Sequence, residues 1–522
     1  FQSILTIFQE FNSILHYQLI KMKNKVQLIT YAHRFGNKGI SEIHSFLSSK
    51  LKGVFDGGIH LLPFYTPIDG ADAGYDPIDH TEIDPQVGTW DDIKKLSGEY
   101  DIMADLIVNH TSIGSREFKD VKKNGSMSEY FDLFLTKDKV FGNEVSDEAI
   151  KKIYRPRPNL PFTSIKLDNE EQFDFWTTFT SDQLDIDVNH PKGIEYLYKI
   201  LYTFHFFGIK IIRLDAAGYA IKKAGTSCFM LPETYDFIRD ITDKANVLGI
   251  EVLVEIHSHY QLQVEIAKRV DYVYDFALPP LVLHTIYNKS TVQLKNWLEI
   301  SPRNAITVLD THDGIGVIDV AGNGTDKGLL SDDEVNSLVD NIHKNSGNTS
   351  RKATGAAASN LDIYQVNCTF YEALGKNDFN YLVSRVIQFF SPGIPQVYYV
   401  GLLAGENDME LLEETQVGRD INRHFYSFEE VEESMKREVV KALIALIKFR
   451  NTHESFNGDF KLRKSAENAL LIEWHFNGEW SRLHLDFVSG TCEISFSNEG
   501  KTQVLDFSYL QHNAPMSFTE NA

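Results

Sequence analysis

The sequence predicts an α/β fold, a (β/α)8 TIM barrel with inserted loop subdomains and a C-terminal antiparallel β domain. Eight short apolar segments follow one another along the chain, and helix-like stretches separate most of them. This alternation is typical of a parallel sheet, and eight strands favour closure into a barrel. An open, doubly wound sheet is the alternative, but no GxGxxG motif follows the first segment. The chain of 522 residues is long enough for a barrel with added domains.

Each predicted strand is a run of mainly β-branched and other apolar residues, as expected for strands buried on both faces. In order, the strands are Val26–Tyr31, Gly58–Phe64, Ile102–Asn109, Ile209–Asp215, Glu251–Glu255, Tyr272–Ala277, Ala305–Leu309 and Pro395–Val400. Helix-like stretches at Trp90–Leu96, Glu195–Phe206 and Leu231–Leu248 lead into the third, fourth and fifth strands.

Two intervals between strands are too long for simple crossovers, so they predict subdomains over the mouth of the barrel. The first contains YRPRPNLPF, and the second is rich in Gly, Ser, Asn and Asp. After about Phe456, short strands alternate with turn pairs such as Asn477–Gly478, which is typical of an antiparallel β domain. The predicted division is an N-terminal extension (1–21), barrel segments 22–107, 190–314 and 376–456, inserted subdomains B (108–189) and B′ (315–375), and the C-terminal β domain (457–522).

Bulk properties exclude several classes of function. The formal net charge of −22 argues against nucleic acid, whose phosphates require a basic surface, and against anionic membranes. No apolar run reaches the roughly 18 residues of a membrane span. Cys228, Cys368 and Cys492 are far apart and form no CxxC pair, which argues against a disulfide framework or a zinc site and favours a cytoplasmic protein.

Residues 1–21 are rich in apolar side chains but lack the basic start and the cleavage site of a signal peptide. Met22 begins MKNKVQLITYA, which resembles a natural start. The preceding residues are therefore interpreted as an extension or a gene-prediction artefact, and an amphipathic helix is the alternative.

Three of the segments end in carboxylates where a barrel carries its active site. They are IKIIRLDAAGY with Asp215, EVLVEIHSHY with Glu255 and ITVLDTHDGIG with Asp313. Because the C-terminal ends of barrel strands meet at one face, these side chains are expected to converge. A nucleophile paired with a general acid is the requirement of glycosidic-bond chemistry.

Neighbouring residues support these roles, although each has a plainer structural interpretation. Arg213 shares a strand face with Asp215 and is expected to hold it ionised; a structural ion pair is the alternative. Glu255 lies among apolar residues, which favour the neutral form that a general acid needs. A turn cap is the alternative for His110, and a metal ligand is the alternative for His257 in EIHSH. Their occurrence together at several strand tips favours catalysis.

With these segments in place, the chain resembles the α-amylase clan of retaining glycosidases and, within it, the sucrose phosphorylase family. The clan segments are DIMADLIVNH, IKIIRLDAAGY, EVLVEIH and VLDTHDGIG. The family stretches include LLPFYTPIDGADAGYDPIDHTEID, YRPRPNLPFT, YDFALPPLVLH, ATGAAASNLDIYQVN and GRDINRH, and the resemblance covers nearly the whole chain from Met22. Tyr75 and His33 stand where this family usually shows Phe and Asp.

The resemblance implies a role for each matching residue. Asp215 would be the nucleophile, Glu255 the acid/base and Asp313 the transition-state stabiliser. The implied substrate-binding residues are His110, Arg213 and His312 at the glucosyl hydroxyls, Asp72 and Arg419 at the far side of the ring, Phe179, Gln183 and Tyr219 on the acceptor side, Arg157, Asp362, Tyr364 and Gln365 where fructose and phosphate exchange, and His257.

The implied reaction uses sucrose and inorganic phosphate and needs no cofactor or metal. Guanidinium groups such as Arg157 would compensate the charge of a phosphate dianion among carboxylates. The alternatives are a phosphorylase for sucrose 6-phosphate or glucosylglycerol-type donors, and a hydrolase or transglucosidase. A phosphorylated donor would require extra basic residues, so the NLDIYQ loop favours sucrose. A non-catalytic relative is disfavoured because all three carboxylates are present. Homodimerisation is an expectation from relatives.

Overall fold

The computed structural model describes residues 21–142, 145–155, 160–357, 365–507, 510 and 518–520, with the backbone alone for 71–72, 354–357 and 518–520. The predicted extension 1–21 lies outside the described residues except for Lys21. Within these ranges no helix is long and apolar enough to cross a membrane. Cys228, Cys368 and Cys492 are all free and buried.

Eight parallel strands close into a barrel, as the sequence predicts, and the open sheet is thereby excluded. The strands are β1 (Gln27–Thr30), β2 (Gly58–Leu61), β3 (Ile102–Ile107), β4 (Ile209–Asp215), β5 (Glu251–Val254), β6 (Tyr272–Asp275), β7 (Ala305–Thr307) and β8 (Ile394–Tyr398). Each pairs with its neighbour in sequence, and β8 pairs with β1. The register places Arg213 of β4 opposite Asp105 of β3 and Leu253 of β5.

Helices cover the outside of the barrel, and the three predicted from sequence are all present. Two of these begin at a proline in the first turn, Pro191 and Pro232, where the missing N–H is harmless. The α-helices are Ile40–Ser49, Trp90–Leu96, Arg116–Asn124, Lys137–Phe141, Asp147–Lys152, Pro191–Phe207, Pro232–Val247, Tyr260–Ala267, Leu278–Asn288, Val292–Ile300, Asp332–Asn345, Thr349–Ala357, Phe370–Ala373, Asp378–Phe390, Tyr399–Leu402, Met409–Thr415, Phe428–Ser434 and Glu438–Thr452.

Short strand pairs in the two insertions bring distant residues to the mouth of the barrel. After β3, strand His110–Ser112 pairs with Gln183–Asp185, so that His110 lies opposite Asp185. Strands Phe162–Lys166 and Gln172–Trp176 form a second antiparallel pair in this insertion. After β7, Ile315–Gly316 pairs with Gln365–Val366. Both insertions therefore return to the rim, where they border the carboxylates.

The C-terminal part of the chain forms one antiparallel sheet of six strands, as the alternation of short strands and turn pairs predicts. Its strands are β9 (Asp459–Arg463), β10 (Ala469–Phe476), β11 (Glu479–Asp486), β12 (Thr491–Asn498), β13 (Lys501–Asp506) and β14 (Phe518–Glu520). Asn477 and Gly478 have φ of 48° and 91°, the left-handed values that a tight hairpin turn requires. Trp474 donates to the Phe390 carbonyl at 2.9 Å and so joins the sheet to the barrel. The domain limits remain a prediction.

Candidate active site

The three carboxylates lie at the C-terminal ends of their strands, the position expected from sequence. Asp215 is the last residue of β4, and Glu255 follows β5. Asp313 lies in the loop between β7 and strand Ile315–Gly316. Their side chains retain 14%, 12% and 9% exposure, so all three border a nearly dry cleft at one face of the barrel.

Arg213 joins the two carboxylates that stand closest to each other. Its Nη1 lies 3.2 Å from Asp215 Oδ1, and its Nη2 forms an ion pair with Glu255 Oε1. Nη1 also pairs with Asp105 Oδ1, its neighbour in strand register. Asp105 is fully buried and contacts His60 Nε2 at 3.0 Å. The guanidinium therefore holds Asp215 and Glu255 in a fixed mutual position.

The ionisation of Asp215 differs from the sequence-based expectation that Arg213 would hold it ionised. Burial raises the pKa of Asp215 well above its ordinary value, and Arg213, which lowers that pKa, is outweighed. Glu255 adds to the rise through its charge and through a hydrogen bond between the two carboxyl groups. The charge of Glu255 opposes ionisation of Asp215 because two neighbouring carboxylates in a buried site repel each other.

Asp313 is the carboxylate that stays ionised. Its Oδ1 lies 2.9 Å from Arg419 Nη1, 3.8 Å from Arg423 Nη2 and 3.7 Å from His312 Nε2. Burial alone would raise the pKa of Asp313, but Arg419, His312 and Arg423 together hold that pKa far below its ordinary value. A fixed negative charge at this place can stabilise the positive charge that develops on a glucosyl ring.

Tyr75 contacts four of the predicted site residues. Its hydroxyl accepts a hydrogen bond from Arg213 Nη1 at 3.1 Å, and its ring stacks on His312 with centroids 5.1 Å apart. Its carbonyl accepts hydrogen bonds from His110 Nε2 at 2.9 Å and from Gln183 Nε2 at 3.0 Å. The hydroxyl is thus a second anchor for Arg213, besides Asp105.

Aromatic rings form one wall of the site. Phe179 packs against His110 and Tyr219, with centroids 5.2 Å apart in each pair. Tyr219 lies on the 3-10 turn Ala217–Tyr219, directly after β4. The structure thereby brings Phe179, Gln183 and Tyr219, which the resemblance places on the acceptor side, together with His110, which it places at the glucosyl hydroxyls. We name these four residues the acceptor-side wall.

His257 lies beside Glu255 and, with Asp313, forms a group of possible metal ligands. Its Nε2 is 3.9 Å from Glu255 Oε1, and its Nδ1 is 3.2 Å from Asp319 Oδ2. Burial lowers the pKa of His257, but the charge and hydrogen bond of Asp319, together with the charges of Glu255 and Asp313, raise that pKa above its ordinary value. Glu255, His257 and Asp313 have the ligand atoms of a metal site within 4.8 Å of one another.

The surroundings of that group favour sugar recognition. Arg213 and Arg419 already balance the two carboxylates. His259, the second histidine of EIHSH, contacts the Lys327 carbonyl through Nε2 at 3.1 Å instead of facing Glu255. Both carboxylates thus already have a cationic partner within the protein.

Other predicted site residues are only partly described. Gln365 Oε1 accepts from the Gly314 amide at 3.2 Å and so borders Asp313. Two buried nitrogens, His312 Nδ1 and Gln365 Nε2, have no hydrogen-bond partner in the part of the chain that the structure describes, which leaves both for a substrate. The side chain of Asp72 and the whole of Arg157, Asp362 and Tyr364 lie outside the described residues.

The sequence analysis assigned no role to several residues that contact the predicted site residues. Asp105 is a charge within an otherwise apolar strand, which is unusual unless a partner is buried with it. Asp319 in GIGVIDV is fully buried, and Arg423 in GRDINRH donates to the His312 carbonyl at 2.9 Å. His33, a departure from the family pattern, contacts Asp69 at 2.7 Å in the loop that carries Tyr75.

Comparisons with known proteins agree with this geometry. The family model described as "Alpha amylase, catalytic domain" matches residues 48–299. A sucrose phosphorylase of Agrobacterium vitis is 54% identical over 91% of this chain and 98% of its own length. A sucrose phosphorylase of Bifidobacterium adolescentis is 52% identical over 89% of this chain and 92% of its own. The crystal structure of sucrose 6F-phosphate phosphorylase from Thermoanaerobacter thermosaccharolyticum superposes with a TM-score of 0.86 at 39% identity, covering 94% of this chain and 99% of that one.

Proposed function

The chain belongs to the sucrose phosphorylase family, and we propose that it catalyses the reversible phosphorolysis of sucrose to α-D-glucose 1-phosphate and D-fructose. The observation that carries the proposal is the arrangement around Arg213, which holds Asp215 and Glu255 together at the tips of adjacent strands. Asp313, a permanently ionised third carboxylate, faces the same cleft.

In the first half of the reaction, Glu255 protonates the fructosyl oxygen while Asp215 attacks the anomeric carbon. The C–O bond to fructose breaks, and a β-glucosyl ester forms on Asp215. This step needs Asp215 ionised and Glu255 protonated, and the ion pair with Arg213 favours the ionised form of Asp215 against the burial that raises its pKa. Asp313 stabilises the oxocarbenium-like charge of the ring, and His312 is placed to bind a hydroxyl through its buried Nδ1.

In the second half, hydrogen phosphate attacks the ester from the face that fructose has left, and the bond to Asp215 breaks. The proton of the phosphate passes to Glu255, and α-glucose 1-phosphate forms with retention of configuration. A dianion must enter a cleft that holds three carboxylates, so it needs compensating positive charge. In the described part of the site, Arg213, Arg419 and Arg423 carry positive charge. Asp319 raises the pKa of the His257 imidazole, which favours its charged form as a further source. Arg157 would add a guanidinium from the first insertion.

The reaction is tested by incubating the protein with sucrose in phosphate buffer and quantifying glucose 1-phosphate, fructose and free glucose. Near-equal glucose 1-phosphate and fructose with little glucose is the expected result. Equal fructose and free glucose would make the protein a hydrolase. No turnover would reject sucrose as donor, and the same assay with sucrose 6-phosphate and glucosylglycerol would follow.

Cytoplasmic location and a homodimer are parts of the same proposal. The free, buried thiols of Cys228, Cys368 and Cys492 support a reducing compartment. Light scattering during size exclusion measures the particle mass directly; a mass near that of one chain would reject the dimer.

A further inference from the structure

The buried ammonium group of Lys222 binds the segments that carry the acceptor-side wall. Its Nζ lies 2.5 Å from each of three oxygens: Asp185 Oδ2, Asn109 Oδ1 and the Tyr219 carbonyl. An ammonium group has three N–H donors, and these three acceptors use all of them. The Lys222 side chain is only 1% exposed and Asp185 is fully buried, so the ion pair is shielded from water and salt.

The three acceptors belong to three separate segments, and each adjoins a member of the wall. Asn109 directly precedes His110 at the end of β3. Tyr219 is itself a member of the wall and is held through its carbonyl, while its ring remains against Phe179. Asp185 lies two residues after Gln183, in the strand that pairs with His110–Ser112.

Asp185 extends the same contact to the fourth member of the wall. Its Oδ1 accepts from the Thr178 amide at 2.9 Å, and its Oδ2 accepts from the Thr178 hydroxyl at 2.5 Å. Thr178 directly precedes Phe179. One buried cation and its carboxylate therefore fix all four residues of the wall, although those residues come from the tip of β3, the first insertion and the turn after β4.

We propose that Lys222 is a positioning residue that fixes the acceptor-side wall and thereby favours phosphate over water as the acceptor. The inference rests on the phosphorolysis proposed above. Phosphate must be held in line with the Asp215 ester, and a displacement of about 1 Å can lower the rate about 10²-fold. Water is small and abundant, so its attack on the ester does not require the acceptor-side wall to hold it in position. Loosening the wall therefore slows phosphorolysis more than hydrolysis.

The test uses Lys222→Met, the double variant Lys222→Met with Asp185→Asn, and Lys222→Arg. The double variant avoids leaving Asp185 as an unpaired buried charge. Lys222→Arg keeps the ion pair, but a planar guanidinium cannot reproduce the three contacts of an ammonium. Lys223→Met is the matched control, because Lys223 is adjacent, 59% exposed and paired at the surface with Glu233. Each protein is examined for thermal unfolding, kcat/KM for phosphate and the ratio of glucose to glucose 1-phosphate.

The expected result is a fall in kcat/KM for phosphate of about 10²-fold in the Lys222→Met proteins, with a raised share of glucose. Lys222→Arg should lie between these proteins and the wild type, and Lys223→Met should match the wild type. A folded double variant with the wild-type product ratio would overturn the proposal. If both methionine proteins fail to fold, a wild-type ratio in Lys222→Arg would overturn it. Absence of glucose 1-phosphate from the wild type would instead reject phosphorolysis itself.

Discussion

Asp319→Asn tests whether a charged His257 serves the phosphate step. Asp319 is fully buried and accepts three hydrogen bonds, from His257 Nδ1 at 3.2 Å, from the Ser258 amide at 3.2 Å and from Gln263 Nε2 at 2.6 Å. The substitution preserves the shape of the side chain and removes its charge. The imidazolium of His257 then loses the partner that raises its pKa.

The magnitude follows from the distance between the two groups. Opposite charges 3.2 Å apart attract by about 5 kcal/mol at an effective dielectric constant of about 20. This attraction is an upper bound on the effect, so we expect the pKa of His257 to fall in the variant. An imidazolium about 6 Å from a phosphate dianion in a water-like dielectric contributes about 1.4 kcal/mol, which predicts a roughly tenfold rise in KM for phosphate.

Two measurements check this reasoning. NMR titration of the His257 ring reports its pKa directly, and KM values for phosphate and sucrose are compared at pH 6 to 8. KM for sucrose should change little, because the donor is uncharged.

A raised folded-state pKa stabilises the fold below the unfolded pKa of about 6.5, and that gain is lost as pH rises through the folded value. The stability difference between wild type and variant should therefore shrink with rising pH. An unchanged His257 titration, or equal rises in both KM values, would refute the argument.

Four further outcomes follow from the same structure. Asp215→Asn should lower kcat by about 10⁴-fold or more and raise the melting temperature, because burial makes the ionised carboxylate costly; a large residual rate would exclude Asp215 as nucleophile. Glu255→Gln should abolish phosphorolysis of sucrose but retain turnover of α-glucosyl fluoride, whose leaving group needs no proton; equal losses on both donors would contradict the acid role. Arg385→Met should reduce the free energy of unfolding by about 3–5 kcal/mol, because it leaves Asp310, 5% exposed, without its ion-pair partner at 2.6 Å; denaturant titration measures this, and a loss below about 1 kcal/mol would contradict it. Dialysis against EDTA should leave the rate of sucrose turnover unchanged, and restoration of a lost rate by one added cation would contradict the cofactor-free scheme.

Local signals account for the parts of the fold that the sequence predicts well. A run such as Ile209–Asp215 forms a buried strand because β-branched residues favour extended backbone, and its polar end marks the rim. The polar ends of two other apolar segments likewise predict that Glu255 and Asp313 lie at the mouth of the barrel. The β hairpins of the C-terminal sheet follow from turn pairs such as Asn477–Gly478, which need left-handed backbone.

The sequence by itself determined that three carboxylates, with Arg213, would meet at one end of a barrel, because strand order and alternation of side chains are local properties. Only the tertiary structure decided how deeply each is buried, since burial of Asp215 outweighs the guanidinium beside it and raises the pKa of that carboxyl group. It also decided that Lys222 joins three segments through contacts with residues up to 113 positions away. Register, burial and charge between distant segments arise when the chain closes, and no short stretch of sequence contains them.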